Sequence, residues 1–163
     1  MTSTLNGHVQ RTAATEVAER LGAAGVKYAA ISFVDMHGKP KAKMVPLNHL
    51  GQAARGSEMF TGAALDGVPQ DVNDDEVAPH PDLGGAIIAP FNTEVAWFPG
   101  DLWTGDVPFE ACRRQILKRV TADAAALGYT FNPSLESDLF HLHSAPVRAP
   151  SPPSLDATTG QPS

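Results

Sequence analysis

Val26-Lys27-Tyr28-Ala29-Ala30-Ile31-Ser32-Phe33-Val34-Asp35-Met36-His37-Gly38-Lys39-Pro40-Lys41-Ala42-Lys43-Met44-Val45-Pro46 is the stretch that decides the fold. Its first run, Lys27 to Val34, is rich in β-branched and aromatic residues and bounded by turn formers, which favours a half-buried strand. Asp35, His37 and Gly38 supply a turn, and Gly38 can take a positive φ at little cost. In the second run strand alternation places Lys39, Lys41 and Lys43 on one face and Ala42 and Met44 on the other. The expectation is a hairpin with an apolar side that packs and a row of ammonium groups outside. That row reads either as a solvated face guarding a sheet edge or as a basic rim for an anionic partner.

Upstream, residues 1–11 are polar and expected to be loose. Thr12 or Thr15 can cap a short helix that reaches about Ala24, with Val17, Leu21 and Ala24 at helical spacing and Gly25 as the stop. Downstream, Asn48 can cap a single short helix containing Leu50 and Ala53, closed by Gly56. Thr61 to Asp82 then shows neither strand nor helix pattern. It carries Asp66, Asp71, Asp74, Asp75, Glu76 and Asp82 and no Lys or Arg. So long a loop inside a compact domain is either a solvated segment or a flap ordered by a neighbouring subunit or a basic ligand. Adjacent carboxylates at 74–76 point apart, which makes a poor metal site.

Ala86-Ile87-Ile88-Ala89 reads as a buried strand, Asn92-Thr93 as a turn, and Glu94 to Trp103 as the return strand of a hairpin. Val95, Trp97 and Leu102 are its packing residues, and Pro99-Gly100 marks a bend. Thr104 or Asp106 can cap the next helix, with Pro108 near its first turn. Its stripe, Ile116, Leu117, Val120, Ala124 and Leu127, predicts burial of four large apolar chains, worth roughly 6–10 kcal/mol before entropy is charged. Gly128 ends the helix, and Tyr129 to Phe131 reads as one more strand. Cys112 reads as a small apolar core residue, since no neighbouring His or Cys would activate it.

From Pro133 the composition turns to Pro, Ser and Thr, so 133–163 is expected to be a disordered tail. His141 and His143 within it are incidental without further ligands. The chain has 163 residues, a formal net charge of −6 and 42% hydrophobic residues. That suits one domain plus a tail and argues against a nucleic-acid binder. No apolar run long enough to span a membrane exists, and no signal peptide is visible. One cysteine cannot form an internal disulfide, which fits a reducing cytoplasm.

Several words of the sequence fall in a familiar order: Asp35-Met-His-Gly-Lys-Pro-Lys-Ala-Lys43, Phe60-Thr61-Gly62, Pro81-Asp82-Leu83, Trp103 to Phe109, and Leu127-Gly-Tyr-Thr-Phe131. Across Val26 to Phe131 the chain resembles the N-terminal domain of the glutamine synthetase family, closest to the type III-like and γ-glutamyl-amide ligase branch. The resemblance implies an α+β fold, a β-grasp-like mixed sheet packed on one long helix, occupying residues 12–132. It implies ligation of glutamate to ammonia or an amine, driven by ATP with magnesium or manganese ions, at sites built between subunits of a ring. In that scheme the N-terminal domain lends a loop, here Phe60 to Asp82, to the adjacent subunit, whose carboxylate can hold ammonium and help remove its proton.

Two departures from the pattern matter. Ammonia-using members read Phe-Asp-Gly-Ser-Ser where this chain reads Phe60-Thr61-Gly62-Ala63-Ala64. The resemblance therefore puts Thr61 where the ammonium-binding aspartate stands. It implies a larger amine such as methylamine, ethanolamine or a polyamine, with Asp66 available to compensate. The family's metal-binding Glu-Pro-Glu is matched only by Glu136 and Asp138, and nothing beyond resembles the catalytic domain, its ATP site or its arginines. The expectation is a fragment that binds no cofactor alone, is inactive alone, and associates with synthetase-like subunits. A frame shift near Asn132 would produce it. The competing readings are a non-enzymatic module that caps synthetase rings and a metal-binding regulator using the acidic loop.

Overall fold

The structure, a computed structural model, describes residues 2–65 and 68–136, with side chains from Thr12 onward. Backbone contacts divide the chain into two units, Met1–Phe131 and Asn132–Ser163. Of the second, 132–136 is exposed and without regular structure. The rest of the expected tail, with His141, His143 and Asp138, lies outside the described residues.

In the first unit, helix α1 spans Thr2–Ala23. It begins well before Thr12 and Thr15, the caps expected, and takes in residues expected to be loose. Ala14 and Leu21 are buried, and Val17 and Ala18 pack beside them, the i, i+3, i+4, i+7 face of an amphipathic helix. The end is a Schellman closure. Gly25 N–H donates to the Gly22 carbonyl at 2.9 Å and Val26 N–H to that of Leu21 at 3.0 Å. Gly25 holds φ at 89°, a conformation that costs a residue with a Cβ about 1 kcal/mol or more.

Strand β1, Tyr28–Val34, pairs antiparallel with β2, Pro40–Pro46, and parallel with β5, Val95–Thr104. Strand β3, Ala78–Pro81, pairs antiparallel with β5, giving the order β2-β1-β5-β3. Two-residue strands β4, Ile87–Ile88, and β6, Val107–Pro108, also pair with β5. This is a mixed six-stranded sheet in an α+β fold, as the sequence led one to expect. Strand β1 is central, so it is buried from Ala29 through Phe33 rather than on one face only.

Register settles which side of β2 faces in. Ala29 stands opposite Val45, Ile31 opposite Lys43 and Phe33 opposite Lys41. Residues directly opposed on antiparallel strands share a face. Lys41 and Lys43 therefore lie on the core side, and Ala42 and Met44 on the open side, with Met44 61% exposed. The expected hairpin sides are inverted.

Ala29, Ile31, Val45, Ala96 and Phe98 form the sheet's buried contribution to the main core. Leu47 in a 3-10 turn and Leu50, Ala53 and Ala54 in and after α2, Leu50–Ala53, complete it. Asn48 does not cap α2, whose flanking residue is His49. On β5, Trp97 points to the open side, whereas Val95 and Leu102 are buried. Ile87 is exposed, so β4 is not a buried strand.

Helix α3 spans Arg113–Ala126 and begins after Cys112, without a cap from Thr104 or Asp106. Its stripe is open: Ile116, Leu117, Val120 and Leu127 are between 37% and 76% exposed. The predicted burial energy is absent. What joins α3 to the sheet is charge, with Arg114 paired to Asp82 and Asp101 and Lys118 to Asp101. The main core instead contains residues of α1, the helix expected to be short. Tyr129 to Phe131 is exposed and forms no strand. Among the described residues, no helix is long and apolar enough to cross a membrane.

Candidate functional site

The acidic segment after α2 is a built loop. Phe60 N–H donates to the Val77 carbonyl at 2.7 Å, and Val77 N–H returns the bond at 3.0 Å. Residues 61–76 leave and re-enter the domain at one point, which makes them an Ω-loop. Phe60 anchors the entry. Its ring meets Phe33 edge-on at 5.1 Å, and the Lys43 ammonium sits 4.9 Å from its centroid. Strand β3 follows directly after the exit, in a stretch expected to lack regular structure. Pro79 and Pro81 hid it, yet both are tolerated because β3 is an edge of the sheet path.

Inside the loop, Gly62 to Ala64 make a 3-10 turn. Gly62 is buried against Gln70 so closely that a Cβ would stand 1.6 Å from Gln70 Oε1. Gln70 Nε2 donates to the Asp75 carbonyl at 2.9 Å, and Asp71 N–H donates to the Asp74 carboxylate at 2.8 Å. The loop is thus braced from within by one side-chain amide and one carboxylate, each bonded to its own backbone.

Thr61, the first predicted site residue, is exposed at the loop's shoulder and its hydroxyl donates to Glu76 Oε1 at 3.0 Å. Glu76 was one carboxylate among six in the sequence. Its pairing with Thr61 depends on the Phe60–Val77 closure, which spacing along the chain does not reveal. Asp66, the other predicted loop residue, lies outside the described residues. Glu136 is exposed in the second unit. Among the described residues, no group of three or more His, Cys, Asp or Glu is arranged to hold a metal ion.

Beside the loop's base, Asp35 fixes the β1–β2 turn. Its side chain is buried, and Oδ1 accepts from His37 N–H and Lys39 N–H, both at 2.9 Å. Lys41 Nζ stands 3.6 Å from Oδ2. Burial alone would raise the carboxyl's pKa. The two amide donors and the Lys41 charge outweigh it and hold the pKa below the usual carboxylate range. So Lys41 and Lys43 are both engaged by the fold, and the reading of a free basic rim loses two of its three members.

No protein-family profile matches the chain. It is 32% identical over 118 residues to a glutamine synthetase of Rhizobium meliloti (strain 1021), covering 71% of this chain and 26% of that protein. A glutamine synthetase of Clostridium saccharobutylicum matches at 32% over 120 residues, covering 71% and 27%. A solved structure of GmaS in complex with ADP superposes with a TM-score of 0.64 at 29% identity, over 68% of this chain and 26% of that one. GmaS without ligand superposes at 0.63. The chain spans about a quarter of the length of the curated relatives it matches.

Proposed function

We propose, for a chain homologous over 71% of its length to glutamine synthetases, that it is the N-terminal domain of an ATP-dependent glutamate–amine ligase of that kind. Its part in the reaction is to present the Phe60–Val77 loop to the active site of an adjacent subunit in a cytoplasmic ring. The observation that carries this reading is the loop's closure and internal bracing within a single chain. A loop that must act across a subunit boundary gains from being shaped before it docks, because less ordering entropy is then lost on binding.

At the loop's shoulder stands Thr61 in place of a carboxylate, hydrogen-bonded to Glu76. A hydroxyl carries no charge to hold ammonium, so the acceptor is an amine larger than ammonia. The likeness to GmaS, a γ-glutamylmethylamide synthetase, favours methylamine. Glu76 and Asp66 are the loop carboxylates able to supply the missing charge. Residues of this chain that touch ATP or a divalent ion are not part of the reading. Glu136 and Asp138 remain only an echo of a metal motif, and the described residues offer no ligand set for one. Those groups belong to the rest of the ring, and the 163-residue chain is inactive alone.

The test is ADP release by the purified chain with glutamate, ATP, Mg2+ and either ammonium or methylamine. No release above background is expected. Turnover by the chain unaided would overturn the reading. A second reading, a non-enzymatic module that caps synthetase rings, draws on the open apolar stripe of α3. Mixing the chain with intact synthetase separates the two: a capping module lowers activity and changes the ring's mass.

A further inference from the structure

Helix α3 is a poor helix by itself. It has 14 residues, a length at which isolated helices are marginal in water. Its first turn carries Arg113 and Arg114 and no acidic residue, the wrong sign for the positive end of a helix. Arg114 and Lys118 stand four positions apart, so their like charges are neighbours on one face and repel. None of the helix's residues is buried among the described residues. A cavity of about 290 Å³ lies where it meets the sheet, with Leu117 from the helix and Val34, Trp97 and Pro99 from the sheet in its walls. Close packing therefore does not secure the helix.

Carboxylates outside the helix offset these faults. Asp101, on β5, has a side chain only 14% exposed. Its Oδ1 accepts from Arg114 Nε at 2.9 Å and its Oδ2 from Lys118 Nζ, so one carboxylate neutralises both repelling cations. Asp82, next to β3, takes the other arm of Arg114. Together they supply the negative charge that the first turn lacks. A network built on a largely buried carboxylate is worth more than isolated surface pairs, and salt weakens its exposed members. The chain is pinned just before the helix. Cys112 is buried with Phe33 and Leu102, and its Sγ accepts the Leu102 N–H at 3.3 Å. Past the helix, Leu127, Tyr129 and Phe131 are exposed.

We propose that α3 is an ionically latched strap. Asp101 and Asp82 close it, it swings open about Cys112 ahead of the sheet, and it loses its helix as it opens. Ionic strength sets how often it does so. Opening uncovers Trp97 and Val34 and frees the apolar stripe of Ile116, Leu117 and Val120. The device is separate from the Phe60–Val77 loop and does not depend on the ligase reading.

Amide hydrogen exchange of the full chain, followed residue by residue in low and high sodium chloride, tests the proposal. The Val120 to Ala124 amides should be protected at about 50 mM salt and exchange about tenfold or more faster at about 1 M, where the screening length falls to about 3 Å. The Ile31 and Phe98 amides of the core strands should keep their rates. Asp101→Asn should speed α3 exchange at low salt by a similar factor and remove most of its salt response. Asp106→Asn removes the same charge from the β5–β6 turn and should leave α3 unchanged. Exchange in α3 that ignores salt, that rises only in step with Ile31 and Phe98, or that is unprotected at low salt would each overturn the proposal. So would a salt response that survives Asp101→Asn, or an equal effect of Asp106→Asn. Should Asp101→Asn fail to fold, the wild-type salt comparison decides alone.

Discussion

The loop 61–76 and helix α3 differ in the opposite sense from their compositions. The loop is acidic and rich in Asp, yet it is closed at its base, and Gly62 and Gln70 are fitted together inside it. The helix has the best apolar stripe in the chain, yet its large side chains lie open. Composition tells what a segment is able to bury. Only the surrounding strands decide whether it does. Strand order puts Phe33 and Lys43 beneath Phe60 and so anchors the loop, whereas α3 meets β5 through Asp101 and the cavity at its first turns.

The contrast between buried and open apolar surface should be largest in stability. Phe98→Ala removes a fully buried ring and should cost about 3–5 kcal/mol. Val120→Ala should stay within about 0.5 kcal/mol, helped by alanine's better helix propensity. Urea unfolding of the two variants measures both, and a loss of several kcal/mol at Val120 would show that α3 is packed after all. The loop's bracing is sharpened by Gly62→Ala. The new methyl collides with Gln70 and should cost about 1–3 kcal/mol, with lost amide protection confined to the loop. A silent Gly62→Ala would mean that Gln70 does not brace it.

The smallest effect concerns the hairpin under the loop. Because the folded pKa of Asp35 lies below its unfolded value, its stabilisation is full above the unfolded value of about 3.9 and is lost as pH falls through the folded pKa. Asp35→Asn should therefore lower the thermal midpoint at neutral pH, and the gap from wild type should close in acid. A gap that widened in acid would reverse the assigned direction.

Much of the frame was legible in the sequence. The β1–β2 hairpin and the glycine stops at Gly25 and Gly128 are local features, and local rules found them, whereas β5 runs unbroken through Pro99-Gly100, where a bend was expected. Two errors came from non-local ones. Period-two alternation divides β2 into two faces but does not say which is inside, and the pairing of Val45 with Ala29 decided it. Two prolines in four residues concealed β3, because edge position is a property of the sheet. Thr61 was legible as an unusual residue at the loop's shoulder. Glu76 as its partner was not, since fifteen positions separate them and only the closure of the loop brings them together.

The account depends on the loop being shaped within one chain, ahead of any partner. Amide hydrogen exchange of the chain in solution at a concentration that keeps it monomeric tests this directly. Slow exchange at Phe60 and Val77, comparable with the Ile31 and Phe98 amides of the core strands, is the predicted result. Exchange at the unprotected rate at both positions, with the core strands still protected, would contradict it.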